Sequence, residues 1–246
     1  MYKRQGDGLH AGFWFGPMHI DWDAASLERT IRAPLDAVAG GVSIGWVAAS
    51  HDEVRPPSRF GGGDRGRSRS LALSTLLLTL PGLPFLYQGE ELGLHQGDIG
   101  AHPHADPLVS ANRDGARTPM PWAPGPAVGF SSNPDTWLPH GGRSDADTVA
   151  WQRDHEGSWL HRYRELVAVR HREADLRGDE IDWLDLVADV VAFARGGLRV
   201  MVNAGDRPVH GIIDGEVVFA SSGRAPGPVA DPDLHPDEAV IVRPTP

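Results

Sequence analysis

The chain has 246 residues, 40% of them apolar, with 23 Lys and Arg against 33 Asp and Glu for a formal net charge of −10. That size and apolar content allow one large or two small domains with a real core, and the acidic balance argues against a nucleic-acid or anionic-membrane surface, which needs clustered Lys and Arg. With no cysteine there is no disulfide or thiolate chemistry, and the longest apolar run, Leu71 to Leu80, stops at Pro81-Gly82, well short of the roughly 20 residues a bilayer requires.

In chain order, Met1 to Gln5 reads as a non-native leader, the translation of a GTG start and a transposon end used in sequencing-library preparation, so the native chain is expected to continue upstream. Ala11 to Phe15 is a short aromatic strand. Asp23 to Ala39 carries Ala25, Leu27, Ile31, Leu35 and Val38 at helical spacing, with Asp23 as the cap. Val42 to Ala48 is β-branched and aromatic, hence a strand. A glycine-rich loop at Gly61 to Gly63 leads into a helix from about Arg67 to Leu80, and Pro84 to Tyr87 is the next strand. The alternation reads as consecutive βα units of a parallel sheet.

Residues 89–155 lose any long apolar period and read as an ordered loop anchored by Trp122, Phe130, Trp137 and Leu138. Trp159, Tyr163, Leu166, Val167 and Arg170 then mark one face of a helix from about Gly157 to Glu173. Beyond Glu180 the pattern turns to short strands at Ile181 to Leu186, Val190 to Ala194, Leu198 to Val202, Val209 to Ile213, Val217 to Ala220 and Ala239 to Val242, as in an antiparallel sandwich.

The chemistry concentrates where the Val42 to Ala48 strand ends on Ser50-His51-Asp52, ahead of Pro56-Pro57. A strand that delivers an imidazole and a carboxylate to its carboxyl end is how α/β barrels present reacting groups. On spacing alone, an ordinary polar turn explains these residues equally well.

Four segments in order, Val47 to Asp52, Leu80 to Leu94 (LPGLPFLYQGEELGL), Arg113 to Trp122 (RDGARTPMPW) and Gly129 to Pro139 (GFSSNPDTWLP), resemble the α-amylase superfamily of retaining glycosidases (glycoside hydrolase family 13), and within it the α-glucosidase and oligo-1,6-glucosidase branch. The resemblance runs from about Phe13 to the carboxyl terminus. It implies an α/β fold: the last part of a (β/α)8 TIM barrel, about strands 6 to 8, over residues 6–175, then an antiparallel β-sandwich domain over 176–246.

Retaining glycosidases pair a carboxylate nucleophile with a carboxylic acid/base about 5 to 5.5 Å away. The resemblance makes Asp52 the third, transition-state-stabilising carboxylate and His51 a donor to the same sugar. It matches Arg113 to an arginine that closes the pocket behind a terminal glucose, or else Arg113 is a surface residue holding Asp114. Arg55 and Arg59 either contact sugars or order the Pro56-Pro57 loop, the latter favoured for Arg59. The nucleophile and acid/base of the family belong to earlier strands, so this chain by itself is expected to be inactive. Glu90-Glu91 fall where the loop after the eighth strand is shaped; Glu53 is a substrate contact or a solvated loop carboxylate. Ser50 stands where the family usually has Asn, and Gly115 where oligo-1,6-glucosidases often have Asn.

The function implied is an exo-acting α-glucosidase on short α-glucoside oligosaccharides. Alternatives are a transglycosylating relative of the trehalose-synthase or sucrose-isomerase type, or a non-catalytic interaction module. The expected partners are the oligosaccharide and the missing amino-terminal half of the same protein, with no nucleic acid and no membrane. No cofactor is identifiable: the 12 histidines are scattered, with His95, His102 and His104 expected in solvent, and any calcium site would belong to the missing half. A cytoplasmic location is the default expectation.

Overall fold

The structure is a computed structural model and describes residues 10–38, 43–102 and 113–245. The leader at Met1 to Gln5 and residues Ala39, Val42 and His104 lie outside the described residues.

The elements are β1 (Ala11–Trp14), α1 (Ala24–Ala37), β2 (Ser43–Val47), the short α2 (Pro56–Arg59), α3 (Gly63–Thr79), β3 (Leu83–Phe85), α4 (Val149–Asp154), α5 (Trp159–Arg172), β4 (Asp182–Leu184), β5 (Val190–Arg195), β6 (Leu198–Asn203), β7 (Glu216–Ala220), β8 (Gly227–Pro228) and β9 (Ala239–Arg243). Asp23 caps α1 as its sequence position predicts, its carboxylate accepting from the Ser26 amide at 2.8 Å. The described residues divide into two compact units, one drawn from within 1–48, 71–85 and 165–246, the other from within 49–70 and 86–164.

In the first unit β1, β2 and β3 form a parallel sheet in that order, the arrangement expected from the βα alternation. Trp46 on β2 is fully buried. The later strands pair into one antiparallel sheet in the order β4-β5-β6-β9-β7-β8. This corrects the sandwich expectation: the pairing runs unbroken through a single sheet, because β9 returns between β6 and β7 instead of starting a facing layer. The expected strand at Val209 to Ile213 is also absent. Pro208 precedes it and Gly211 is left-handed, so the run keeps only a bridge between Val209 and Leu234. One face of the sheet is packed with Val190, Ala192, Met201, Val217, Val240 and Val242.

The end of α3 is buried, with Thr79 and Leu80 fully inaccessible. A helix terminus leaves its last carbonyls without intrahelical donors, and here every carbonyl from Leu78 to Gly82 is supplied from afar. Arg170 on α5 donates to the carbonyl oxygens of Leu78, Leu80 (3.1 Å) and Gly82 (2.8 Å). Arg195 on β5 donates to Thr79, and the Trp46 indole donates to Pro81 at 2.6 Å. Gly82, with φ of 104°, cannot carry a side chain, since a Cβ would stand 2.4 Å from the Ile44 carbonyl oxygen.

In the second unit the described parts of the long loop, 89–102 and 113–155, are anchored by residues other than those expected. Trp122, Phe130 and Trp137 are 51%, 52% and 71% exposed, and of the four only Leu138 is buried. The packing comes from Leu92, Leu94 and Met120, with Val149 and Leu160 against them. α4 within this loop escapes the sequence reading because six residues are too few to show a helical period; its signal is the Thr148 cap, whose hydroxyl accepts from the Trp151 amide.

Replacing Arg170 with Met keeps the apolar stem and removes the donors to three carbonyls around the buried helix end. Urea denaturation is expected to show a loss on the order of 3 kcal/mol or more, since each buried carbonyl left unpaired costs about 1–3 kcal/mol. Unchanged stability would show that the helix end does not depend on it.

Candidate active site

Five residues after β2, the half-exposed Asp52 carboxylate is flanked by two arginines and a histidine. Arg117 donates from Nη2 to Asp52 Oδ1 at 2.8 Å, Arg113 Nη1 stands 3.2 Å from the same oxygen, and His51 Nε2 lies 3.2 Å from Oδ2. The Arg117 Nε also donates to the His51 carbonyl oxygen at 2.9 Å, so one guanidinium holds both the backbone and the carboxylate of the turn. Ser50 contributes as well: its hydroxyl accepts from the Asp52 amide at 3.2 Å and closes a local turn. A single hydroxyl suffices for that role.

Arg113 and Arg117 flank a one-turn 3₁₀ helix, Asp114–Ala116, which aims both guanidinium groups at one carboxylate. Asp114 is buried and accepts from Arg117 at 3.4 Å. Arg117 is the residue sequence reasoning missed. Its signal is the i, i+4 spacing from Arg113 across a Gly-containing turn. Gly115 is required by packing, because a Cβ there would sit 2.5 Å from the Gly97 carbonyl oxygen, and the Gly97 amide donates to the Gly115 carbonyl at 2.9 Å. Asn has no room at this position.

Arg55 does not belong with these residues. It is 2% exposed and donates to the carbonyl oxygens of Gln88 (2.7 Å) and Ala116 (2.8 Å), with its guanidinium 5.1 Å from the Tyr87 ring centroid. The expected sugar contact is therefore replaced by a brace between the Gln88 turn and the 114–116 turn: the donors face backbone inside the unit. Arg59 is largely withdrawn from water, which pushes its guanidinium down to about 10 against the opposing effect of Glu53 and Glu90, as befits a loop-ordering role. His95 and His102 are half-buried instead of solvated, and His95 Nε2 lies 3.1 Å from the Gly63 carbonyl oxygen.

Glu90 and Glu91 shape the turn after β3. Glu91 accepts from the Gly89 amide at 2.7 Å; Glu90, buried, accepts from the Tyr87 amide at 2.8 Å and lies 3.5 Å from the Tyr163 hydroxyl. Burial pushes the Glu90 carboxyl up to about 7, despite the Tyr87 amide and Arg55. Among the described residues no group of three or more His, Asp or Glu is placed to hold a metal ion.

A carboxyl whose folded pKa exceeds its unfolded value binds protons more tightly in the native state. Its stabilisation is complete below about pH 4.5 and is lost as pH rises through about 7. Denaturation at pH 5 and pH 8 is therefore expected to show the wild-type chain losing on the order of 3 kcal/mol relative to Glu90→Gln over that interval. A pH-independent difference between the two proteins would contradict the buried, proton-binding Glu90.

Residues 16–179 match the model of the alpha amylase catalytic domain. Over 181 residues the chain is 32% identical to maltase A1 of Drosophila melanogaster, covering 70% of this chain and 30% of that protein. Over 157 residues it is 34% identical to a probable alpha-glucosidase of Rhizobium meliloti, covering 61% and 28%. Among solved structures, the alpha-glucosyl transfer enzyme XgtA superposes with a TM-score of 0.76 at 28% identity, covering 98% of this chain and 48% of that one. An isomaltulose synthase from Klebsiella sp. LX3 superposes at 0.81 with 22% identity, covering 98% and 52%, a likeness of fold alone. The chain thus spans about a third of these curated relatives and about half of these solved structures. With two thirds of its length matched by the family model, the chain belongs to the α-amylase family of glycoside hydrolases.

Proposed function

We propose that this chain is the carboxyl-terminal part of a retaining, exo-acting α-glucosidase that hydrolyses short α-glucoside oligosaccharides, with β1, β2 and β3 as the sixth, seventh and eighth strands of a (β/α)8 barrel. The observation that carries the reading is the Asp52 carboxylate, half-exposed yet oriented by Arg117, Arg113 and His51. A carboxylate fixed in this way meets the ring hydroxyls of a sugar without reorganising, and hydrogen bonds that strengthen as the oxocarbenium-like state forms accelerate the reaction. His51, with its imidazole largely exposed, donates to the same sugar once substrate displaces water. Arg113 closes the pocket behind the terminal glucose, which favours short substrates.

The nucleophile and the acid/base come from earlier strands. Glu90 is buried and Glu91 is committed to a backbone amide, so neither replaces them, and the chain alone is expected to be inactive. The 28% identity with an alpha-glucosyl transfer enzyme supports a second reading, in which a sugar instead of water resolves the same glucosyl intermediate.

In the enzyme that contains this chain, Asp52→Asn is expected to lower kcat on the order of 100- to 1000-fold with the fold retained, since an amide cannot supply the same charge to the transition state. Near-normal turnover sinks the assignment. Arg113→Ala is expected to narrow the difference in kcat/KM between disaccharides and longer oligosaccharides; an unchanged preference would remove the gate from the mechanism.

A further inference from the structure

The Asp114–Ala116 turn carries Arg113 at its start and Arg117 at its end. Inside the turn, the Arg113 carbonyl accepts from the Ala116 amide at 3.0 Å and the Asp114 carbonyl from the Arg117 amide at 2.9 Å. The last two carbonyls have no donor within so short a helix. That of Gly115 is taken by the Gly97 amide at 2.9 Å. That of Ala116, a fully buried residue, accepts twice: from Arg55 Nη2 at 2.8 Å and from the Tyr87 hydroxyl at 3.0 Å.

The peptide plane that holds the Ala116 carbonyl leads directly into Arg117. One donor leaves such a plane free to pivot about its single hydrogen bond, whereas two donors on the two lone pairs of one oxygen fix it. The Arg117–Asp52 pair needs that support. Its side chains are 25% and 48% exposed, and an ion pair reached by water contributes little by itself. Its geometry is therefore set by the backbone from which Arg117 springs. Tyr87 is itself held in place. Its amide donates to the Glu90 carboxylate at 2.8 Å, its ring lies 5.1 Å from the Arg55 guanidinium, and that guanidinium continues to the Gln88 carbonyl at 2.7 Å.

We propose that Tyr87 is a positioning residue for the glycosidic reaction: its hydroxyl, bonded to the Ala116 carbonyl, fixes Arg117 and through it the Asp52 carboxylate, and it acts through that arginine, not on the sugar. The assignment rests on the α-glucosidase reading of Asp52. Arg55 does not make the hydroxyl redundant, because its guanidinium is shared between Ala116 and the exposed Gln88 turn. With Tyr87 in place, two adjacent residues, Tyr87 and Gln88, meet Ala116 by two routes, one direct and one through Arg55. The Arg117 Nη2 bond to Asp52 and the Nε bond to the His51 carbonyl, at 2.8 and 2.9 Å, are the contacts this arrangement sets.

In the enzyme that contains this chain, Tyr87→Phe keeps the ring beside Arg55 and removes only the hydroxyl. It is expected to lower kcat on the order of 10-fold, within the roughly 100-fold that a misplacement of about 1 Å can cost. In an Arg117→Ala background the same substitution is expected to cost less than about 2-fold, because the side chain it positions is gone. Losses of similar size in both backgrounds overturn the proposal, and so does an unchanged kcat when Arg117 is present. A second readout needs no turnover. In the same protein with isotope-labelled arginine, the Nε–H of Arg117, bonded to the His51 carbonyl, gives an NMR correlation that Arg117→Lys assigns. Tyr87→Phe is expected to shift it and to leave in place the Nε–H of Arg67, which donates to the Gly93 carbonyl. A stationary Arg117 signal, or an equal shift of both signals, overturns the positioning role. A selective shift in a protein that hydrolyses no α-glucoside upholds the hold of Tyr87 on Arg117 and removes the α-glucosidase reading alone.

Discussion

The buried carboxyl-terminal end of α3 is the constraint around which the first unit is arranged. A helix cannot end inside a protein unless its orphan carbonyls find donors, and this one ends at Pro81-Gly82, where the chain must reverse into β3. Water is excluded, so the donors come from Arg170, Arg195 and Trp46. These residues sit on three different elements, and meeting the helix end fixes α5, β5 and β2 against the same point. Charge contributes in the same direction as hydrogen bonding, because guanidinium groups sit at the negative end of the helix dipole. Desolvation lowers the pKa of both arginines.

The second unit uses the same device on a smaller scale. Arg55 takes the Gln88 and Ala116 carbonyls, and Arg67 takes the Gly93 carbonyl at 3.1 Å and the Asp147 carboxylate at 2.8 Å. Loops of this length bury backbone that no ladder satisfies. A planar guanidinium with five donors can tie two turns together where a shorter polar side chain could hold one. With the 114–116 turn braced from behind by Arg55, Arg113 and Arg117 are presented forward to Asp52. The rigidity of the candidate site therefore derives from a buried arginine that has no part in the chemistry.

The aromatic residues show why burial could not be assigned from composition. Trp122, Phe130 and Trp137 looked like loop anchors because large apolar side chains usually are, yet the loop is held by Leu92, Leu94 and Met120 and by small residues at turns. Phe13 and Phe85 lie on a strand pattern that gives no sign of which face is covered. A strand with apolar residues on both sides reads the same whether its second face meets a helix, another strand or water.

The sequence by itself determined the element order, the capped helix at Asp23, the parallel alternation, the family and the His51-Asp52 turn, because these rest on local periodicity and on short contiguous motifs. Only the tertiary structure decided which arginines face the carboxylate and which are spent on backbone. Arg55, Arg113 and Arg117 are alike in type and all lie beside glycine- or proline-rich turns, and nothing local distinguishes them. What separates them is where long-range folding leaves carbonyls unpaired: Gln88 and Ala116 claim Arg55 from 33 and 61 residues away, and the requirement that buried backbone be satisfied is a property of the assembled fold, invisible along the chain.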